Sequence, residues 1–333
     1  MKKATFILML TLAFLSHTSF GQNLIAVHHQ GTPAFYTTMS AALGGAVDGD
    51  TIYIPGGTFD AINIDKRLHL IGVGHHPDST DATSRTYIKG ITLSSGCSGG
   101  SLSGIFTHTY PISINSDLDN YRISRNYIFS LSNVNSINLT NICIDENVII
   151  SGLYLSLYNY FVLANNIILG GVVNAHSGII RNNVLLKSPN GLSANNCTIE
   201  NNFFSGQFTN VSYCTNSIIN NNVNAGINGA DVNGNQGSGN YLNQGDISSF
   251  FVNYDPATVT LTNIYEADFH LVPGSPYINA GRDGTDIGIY GGAYPWKDGS
   301  IPFNPHIQSI NISPVTNSSG NLNVNIQVEA QDR

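Results

Sequence analysis

The chain has 333 residues, of which 41% are apolar and only 10% charged, with a formal net charge of −8 that becomes −10 without Lys2 and Lys3. That acidic balance, with no run of Lys or Arg to offset it, excludes nucleic acid as a partner and disfavours strongly anionic glycans unless a metal or a local basic cluster mediates contact. Four cysteines in so long a chain are too few for a disulfide scaffold, and no Cys-x-x-Cys or Cys/His spacing points to zinc.

In chain order, the first feature is a targeting segment. Lys2 and Lys3 precede the apolar run Phe6 to Leu15, and Ser19-Phe20-Gly21 offers small residues at a cleavage point. Residues 1–21 therefore read as a secretory signal peptide, and the mature chain from about Gln22 as secreted. No later stretch is apolar for the roughly 18 residues a membrane span needs. Phe35 to Leu43 then reads as a short amphipathic helix ending at Gly44-Gly45, an N-terminal cap. Thr51-Ile52-Tyr53-Ile54 reads as a strand between Asp48-Gly49-Asp50 and Pro55-Gly56-Gly57, and Ile62, Ile64, Leu68, Leu70 and Ile71 continue in rung-like strands. The pairs His28-His29 and His75-His76 sit near this cap. Adjacent strand residues face opposite sides, so they read as polar cap residues rather than chelates.

A repeat follows. Segments close to apolar–x–Asn–Asn–apolar–apolar recur as ISRNYIF, ICIDENVII, VLANNII, IIRNNVL, TIENNFF and IINNNVN, the first two keeping only one Asn of the pair. Aligned on Tyr127, Asn147, Asn166, Asn183, Asn202 and Asn222, they are spaced 17 to 20 residues apart. Each unit is short, β-branched and broken by Asn and Gly, which predicts the rungs of a β-solenoid rather than paired helices. Asn tolerates the left-handed bend between faces, and a stack of Asn side chains can bond to the rungs above and below. The column two before the anchor sets Arg125 over Asp145 and Arg181 over Glu200, pairs that would fix register.

From Asn224 to Gly245 the chain is rich in Gly and Asn and reads as a long loop or irregular rungs. Pro273 to Gly292 is a turn-rich closing segment, and Ile307–Ile312 and Leu322–Val328 read as a hairpin cap. The division is a signal peptide (1–21), a parallel β-helix domain (22–300) and a C-terminal β-hairpin tail (301–333). The fold class is all-β: a single-stranded right-handed parallel β-helix with an N-terminal helical cap and a C-terminal strand cap.

The DGDTIYIPGGTF opening, the Asn-Asn rungs and the SPYINAG…TDIGIYGG closing segment resemble secreted bacterial right-handed β-helix proteins, the broad pectate-lyase-like group, over about Ile25 to Tyr294. The resemblance implies the fold; members of the group include polysaccharide lyases, glycoside hydrolases, esterases and proteins without known activity. The WxDH and RxPxxR strings of pectate lyases and the Asn-Thr-Asp and Asp-Asp strings of polygalacturonases are absent, so no catalytic residue carries over.

Two candidate sites emerge from the residues. Arg122 and Arg125 lie near Asp117, Asp119, Asp145 and Glu146, the one charged neighbourhood in a stretch poor in Lys and Arg. Six before the anchor stand Tyr121, Asn141 and Tyr160, which would place two outward rings roughly 9–10 Å apart at strand spacing, with Asn141 between them to bond a sugar. Glycan contact is thus expected at Tyr121, Asn141, Tyr160, Arg122, Arg125 and Asp145. No cofactor or metal site is expected; calcium is conceivable at Asp283 and Asp286, where turn-forming Asp beside Gly is the simpler reading. Extracellular carbohydrate binding or a structural role is the favoured function. A polysaccharide lyase or glycoside hydrolase is the alternative, and a spacer the third. The cysteines read as small core residues, although Cys197 and Cys214 could meet on neighbouring rungs.

Overall fold

Strands of two or three residues cannot bury a core alone; stacked in register, they can. The computed structural model, described over residues 24–134, 136–186, 192–205, 213–224, 233–242, 244–256 and 264–330, is a right-handed parallel β-solenoid of about eight turns. Its first sheet opens with the antiparallel pair Ile25–His29 and Thr32–Tyr36. It continues in parallel from Thr51–Tyr53 through Arg122–Ser124, Cys143–Asp145, Val162–Ala164, Ile179–Arg181 and Thr198–Glu200 to Ile218–Asn220. The second sheet runs from Gly57–Phe59 through Tyr127–Ile128, Val148–Ile149, Ile167–Ile168 and Val184–Leu185 to Phe203–Phe204. The third wall is broken into shorter groups.

The middle residue of each first-sheet strand points inward. Ile123, Ile144, Leu163, Ile180, Ile199 and Ile219 are completely buried in one continuous core. The flanking residues of these strands face outward.

The corner between the two sheets divides the work of the Asn pair. The first residue of the corner takes the left-handed backbone: Arg125, Glu146, Asn165, Asn182, Asn201 and Asn221 all have φ between 50° and 58°. The second points inward and builds the ladder. Asn147 donates its side-chain amide to Asn166 Oδ1 at 3.0 Å and to the Ile123 carbonyl at 2.8 Å, and Asn166 Oδ1 also accepts from the Asn147 backbone N–H at 2.9 Å. The same pattern runs from Asn126 through Asn183, Asn202 and Asn222 to Asn240. Within the Gly/Asn-rich stretch after Asn224, residues 233–242 supply an irregular last rung, with Gln236 and Tyr241 bridging to Ile218 and Val223, while 225–232 lie outside the described residues.

Two sequence expectations shift. The first repeat is one residue out of register: Tyr127 pairs with Val148, while Asn126 stacks on Asn147, 21 residues on. Ser124, not Arg125, therefore pairs with Asp145, and Arg125 lies over Glu146. The N-terminal helix is Met39–Gly45, capped by the Thr38 hydroxyl, which accepts from Ala41 N–H at 3.2 Å; Phe35 and Tyr36 belong to the preceding strand. The signal-peptide segment lies outside the described residues.

The second sheet is buried on both faces, which explains the unbroken apolar pairs in its strands. Its inner residues join the solenoid core. Its outer residues, among them Tyr127, Val148, Ile167, Val184 and Phe203, pack against Phe251, Phe269, Tyr277, Ile289 and Trp296 in a second core. The closing segment thus returns along the outside of the coil as a strap. Asn221 bonds to the Ala280 carbonyl, Asn182 to Gly288 and Asn165 to Ile289 and Gly291, while Ser300 donates to the Glu146 carbonyl and Arg125 to that of Ile301. The strap lies so close that a Cβ on Gly291 would stand 1.8 Å from the Asp286 carbonyl oxygen and 2.5 Å from Asn182 Nδ2.

Beyond the strap, His306–Thr316 and Leu322–Glu329 pair as an antiparallel hairpin with both faces largely exposed. All four cysteines are free thiols, so Cys197 and Cys214 do not pair.

Candidate functional site

On the first sheet's outer face, the column Ser124, Asp145, Ala164, Arg181, Glu200, Asn220 advances one rung per residue. The strap rises beside this column. Between them lies a groove of about 330 Å³ whose lining includes Arg122, Asp145, Ala164 and Arg181 from the sheet and Tyr294 and Phe303 from the strap. Ala164 is the small residue that opens it, because any longer side chain would fill the gap between Asp145 and Arg181.

Charge in the groove is arranged unevenly. Arg122 reaches across one rung to Asp145 with two hydrogen bonds, Nε to Oδ1 at 2.9 Å and a terminal nitrogen to Oδ2 at 2.5 Å. This bidentate contact raises the Arg122 pKa and fixes its guanidinium in the cationic form. Cys143 donates to the same carboxylate at 3.2 Å, and burial pushes its thiol up to about 12, so it stays protonated and unreactive at neutral pH. Further along, Glu200 is held by Arg282 at 3.3 Å rather than by Arg181. Among the described residues, no carboxylate lies within 4 Å of the Arg181 guanidinium. One uncompensated cation therefore stands in the groove, opposite the 62% exposed ring of Tyr294.

Beneath the strap sits a second ion pair of different character. Arg125 and Glu146 are both essentially buried; Arg125 bonds Glu146 Oε2 at 3.0 Å and the Ile301 carbonyl at 2.6 Å, and its guanidinium lies 3.6 Å from the centre of the Phe303 ring. Burial raises the Glu146 pKa and lowers that of Arg125. Both charges are disfavoured by removal from water, and their bonds to each other, to Ile301 and to the Phe303 ring pin the strap.

The sequence-predicted site residues separate accordingly. Arg122 and Asp145 line the groove; Arg125 is buried behind it. The expected outward strip of Tyr121, Asn141 and Tyr160 is corrected. Tyr121 is buried, because the one-residue register shift puts Asn120 in the outward column and turns Tyr121 into the core. Asn141 is exposed and donates to Asp119 at 3.0 Å, and Tyr160 is 72% exposed one rung further on. They form a corner, not a spaced pair of rings. Tyr294 escaped notice because the closing segment shows turn residues and no rung period, which reads as a cap and hides its return past the sheet.

Asp283 and Asp286 hold turns: Asp283 accepts from the Thr285 hydroxyl at 2.7 Å, and Asp286 from the Asn279 N–H at 2.8 Å. Among the described residues, no three His, Cys, Asp or Glu side chains are placed together to hold a metal ion. The His pairs likewise serve locally: His29 bonds the buried carboxylate of Asp50 at 2.6 Å, and His75 bonds Tyr265 at 3.0 Å. No helix among the described residues is long and apolar enough to cross a membrane. Comparison of the chain with protein-family models, curated proteins and solved structures gives no match.

Proposed function

We propose that this chain is a secreted carbohydrate-binding β-helix, and that the groove between the first sheet and the strap holds an extracellular polysaccharide. The observation that carries this reading is the pairing of an uncompensated Arg181 with an exposed Tyr294 on an otherwise charge-poor coil. The tyrosine offers a ring face to the apolar side of a sugar, and the guanidinium offers planar donors to a hydroxyl or carboxylate. Arg122 and Asp145, bound to each other, present a fixed polar wall two to three rungs away. A lone cation favours a glycan that carries an acidic sugar at that position, and it is the local basic contact that the overall acidic charge otherwise denies.

The test is affinity electrophoresis of the mature protein through gels containing neutral or acidic polysaccharides, with mass spectrometry of the recovered glycan. Retention by at least one glycan is expected, weakened at least tenfold by Arg181→Gln with Tyr294→Ala and unchanged by Tyr154→Ala, an exposed ring on the third wall. Unaltered retention in the double variant, or none across the panel, overturns the groove reading. Shortened or unsaturated products would move the protein to the enzyme class of the same fold group.

A further inference from the structure

A second cleft lies on the opposite side of the strap, and its chemistry differs from that of the groove. It has a volume of about 220 Å³ and is walled by Asp268, His270, Tyr290, Trp296 and Asp298, with His75 at its inner end. This is smaller than the roughly 300–1,000 Å³ of an ordinary ligand pocket, so it suits a single ring or a short chain, not a polymer.

The hydrogen bonds fix which ring nitrogens carry protons. His270 Nδ1 lies 2.7 Å from Asp268 Oδ1, and a carboxylate accepts, so Nδ1 donates and, in the neutral ring, Nε2 is left as an acceptor. Tyr265 donates its hydroxyl proton to the His75 carbonyl at 3.1 Å, so its oxygen accepts from His75 Nδ1 at 3.0 Å. His75 Nε2 is then a bare lone pair, completely buried and without a partner. Burial drives the His75 pKa down to about 3, so the ring stays neutral and cannot satisfy that nitrogen by protonation near neutral pH. Tyr290, whose ring stacks on His270 with centres 3.7 Å apart, spends its hydroxyl proton on Asp298 at 2.7 Å. No Lys or Arg lines the cleft.

What remains is a wall dominated by acceptors, two carboxylates and the two ring nitrogens among them, beside aromatic rings, with the Trp296 indole N–H as a donor. The two carboxylates repel anions. A ligand that donates and carries positive charge matches the carboxylates, the bare ring nitrogens and the faces of the aromatic rings. We infer that this cleft is a binding site for a small organic ammonium compound, its nitrogen held between the Asp268–His270 pair and Asp298. An amino sugar and a simple alkylamine share that chemistry and are separated by the experiment.

Trp296 is the only tryptophan in the chain and lines the cleft, so its fluorescence reports occupancy directly. The full mature chain at neutral pH is titrated with glucosamine, with cadaverine, and with N-acetylglucosamine as the uncharged counterpart of the first. A saturable change with an ammonium compound is expected, with none from N-acetylglucosamine. Response to glucosamine alone identifies an amino sugar; response to both identifies a general amine site. Asp268→Asn and His75→Phe, the first half-exposed and the second a ring-for-ring exchange, should each weaken binding at least tenfold while polysaccharide retention in the groove persists. Three results overturn the inference: no saturable change with either amine, an equal change with N-acetylglucosamine, or undiminished binding in both variants. Circular dichroism of the variants establishes that loss of response is not loss of fold.

Discussion

His75 shows how much one buried side chain can govern. Its folded pKa of about 3 lies below the ordinary value of 6.5, chiefly because burial disfavours the charged ring. Between those two values the unfolded chain takes up a proton that the folded chain refuses. Stability is therefore fully present above about pH 6.5 and is lost as pH falls toward 3, at a limiting slope of about 1.4 kcal/mol per pH unit from this group. His75→Phe, which keeps a ring against Tyr127 and Tyr265, should flatten that slope in urea melts taken from pH 7 to pH 4. The ladder asparagines act differently, through hydrogen bonds that no other residue can supply. Asn166, completely buried, accepts from the Asn147 N–H and donates to the Ile144 and Ala164 carbonyls. Asn166→Ala strands these groups and leaves a void, and should lower the unfolding free energy by about 2–4 kcal/mol in the same assay.

Among the elements, the strap is the one whose attachment can be tested by a pair of substitutions. Arg125→Met alone leaves Glu146 buried and uncompensated and should cost about 3–5 kcal/mol. Adding Glu146→Leu removes the orphaned charge, so the double variant should recover most of the loss, leaving the bond to Ile301 as the residual deficit. Recovery of less than half would mean that the pair contributes to stability directly. The strap also marks the limit of what the sequence discloses. The rungs were legible because inward Ile and Leu recur with the Asn pair, and Asn at a bend has two physical reasons to be there. The register of the first rung was not, since ISRNYIF keeps a single Asn, which can be set against either member of the later Asn pairs. Glu146 stands in the same left-handed position as Arg125, each followed by the ladder asparagine.

At the scale of the molecule, the candidate groove was half legible. Arg122 and Asp145 could be picked from the sequence because charge is scarce, and a column of strand residues places them on neighbouring rungs. Arg181 could not be recognised as the open cation, because its partner in the column, Glu200, is claimed by Arg282 from the strap. Both clefts owe their far walls to the same returning segment. The solenoid offers a flat, nearly neutral face, and the strap converts that face into concave sites on either side of itself.

The strap's bonding order carries a consequence for how the chain assembles. Arg125 closes on Ile301, 176 residues later, whereas Asn221 closes on Ala280, only 59 residues later. In a chain that emerges N-terminus first, rungs can form as soon as their neighbours appear, but their outer shoulder stays bare until residues 280–301 follow. The clasp then forms in the reverse sense, from the newest rung back to the oldest, so that the first turns to be made are the last to be closed.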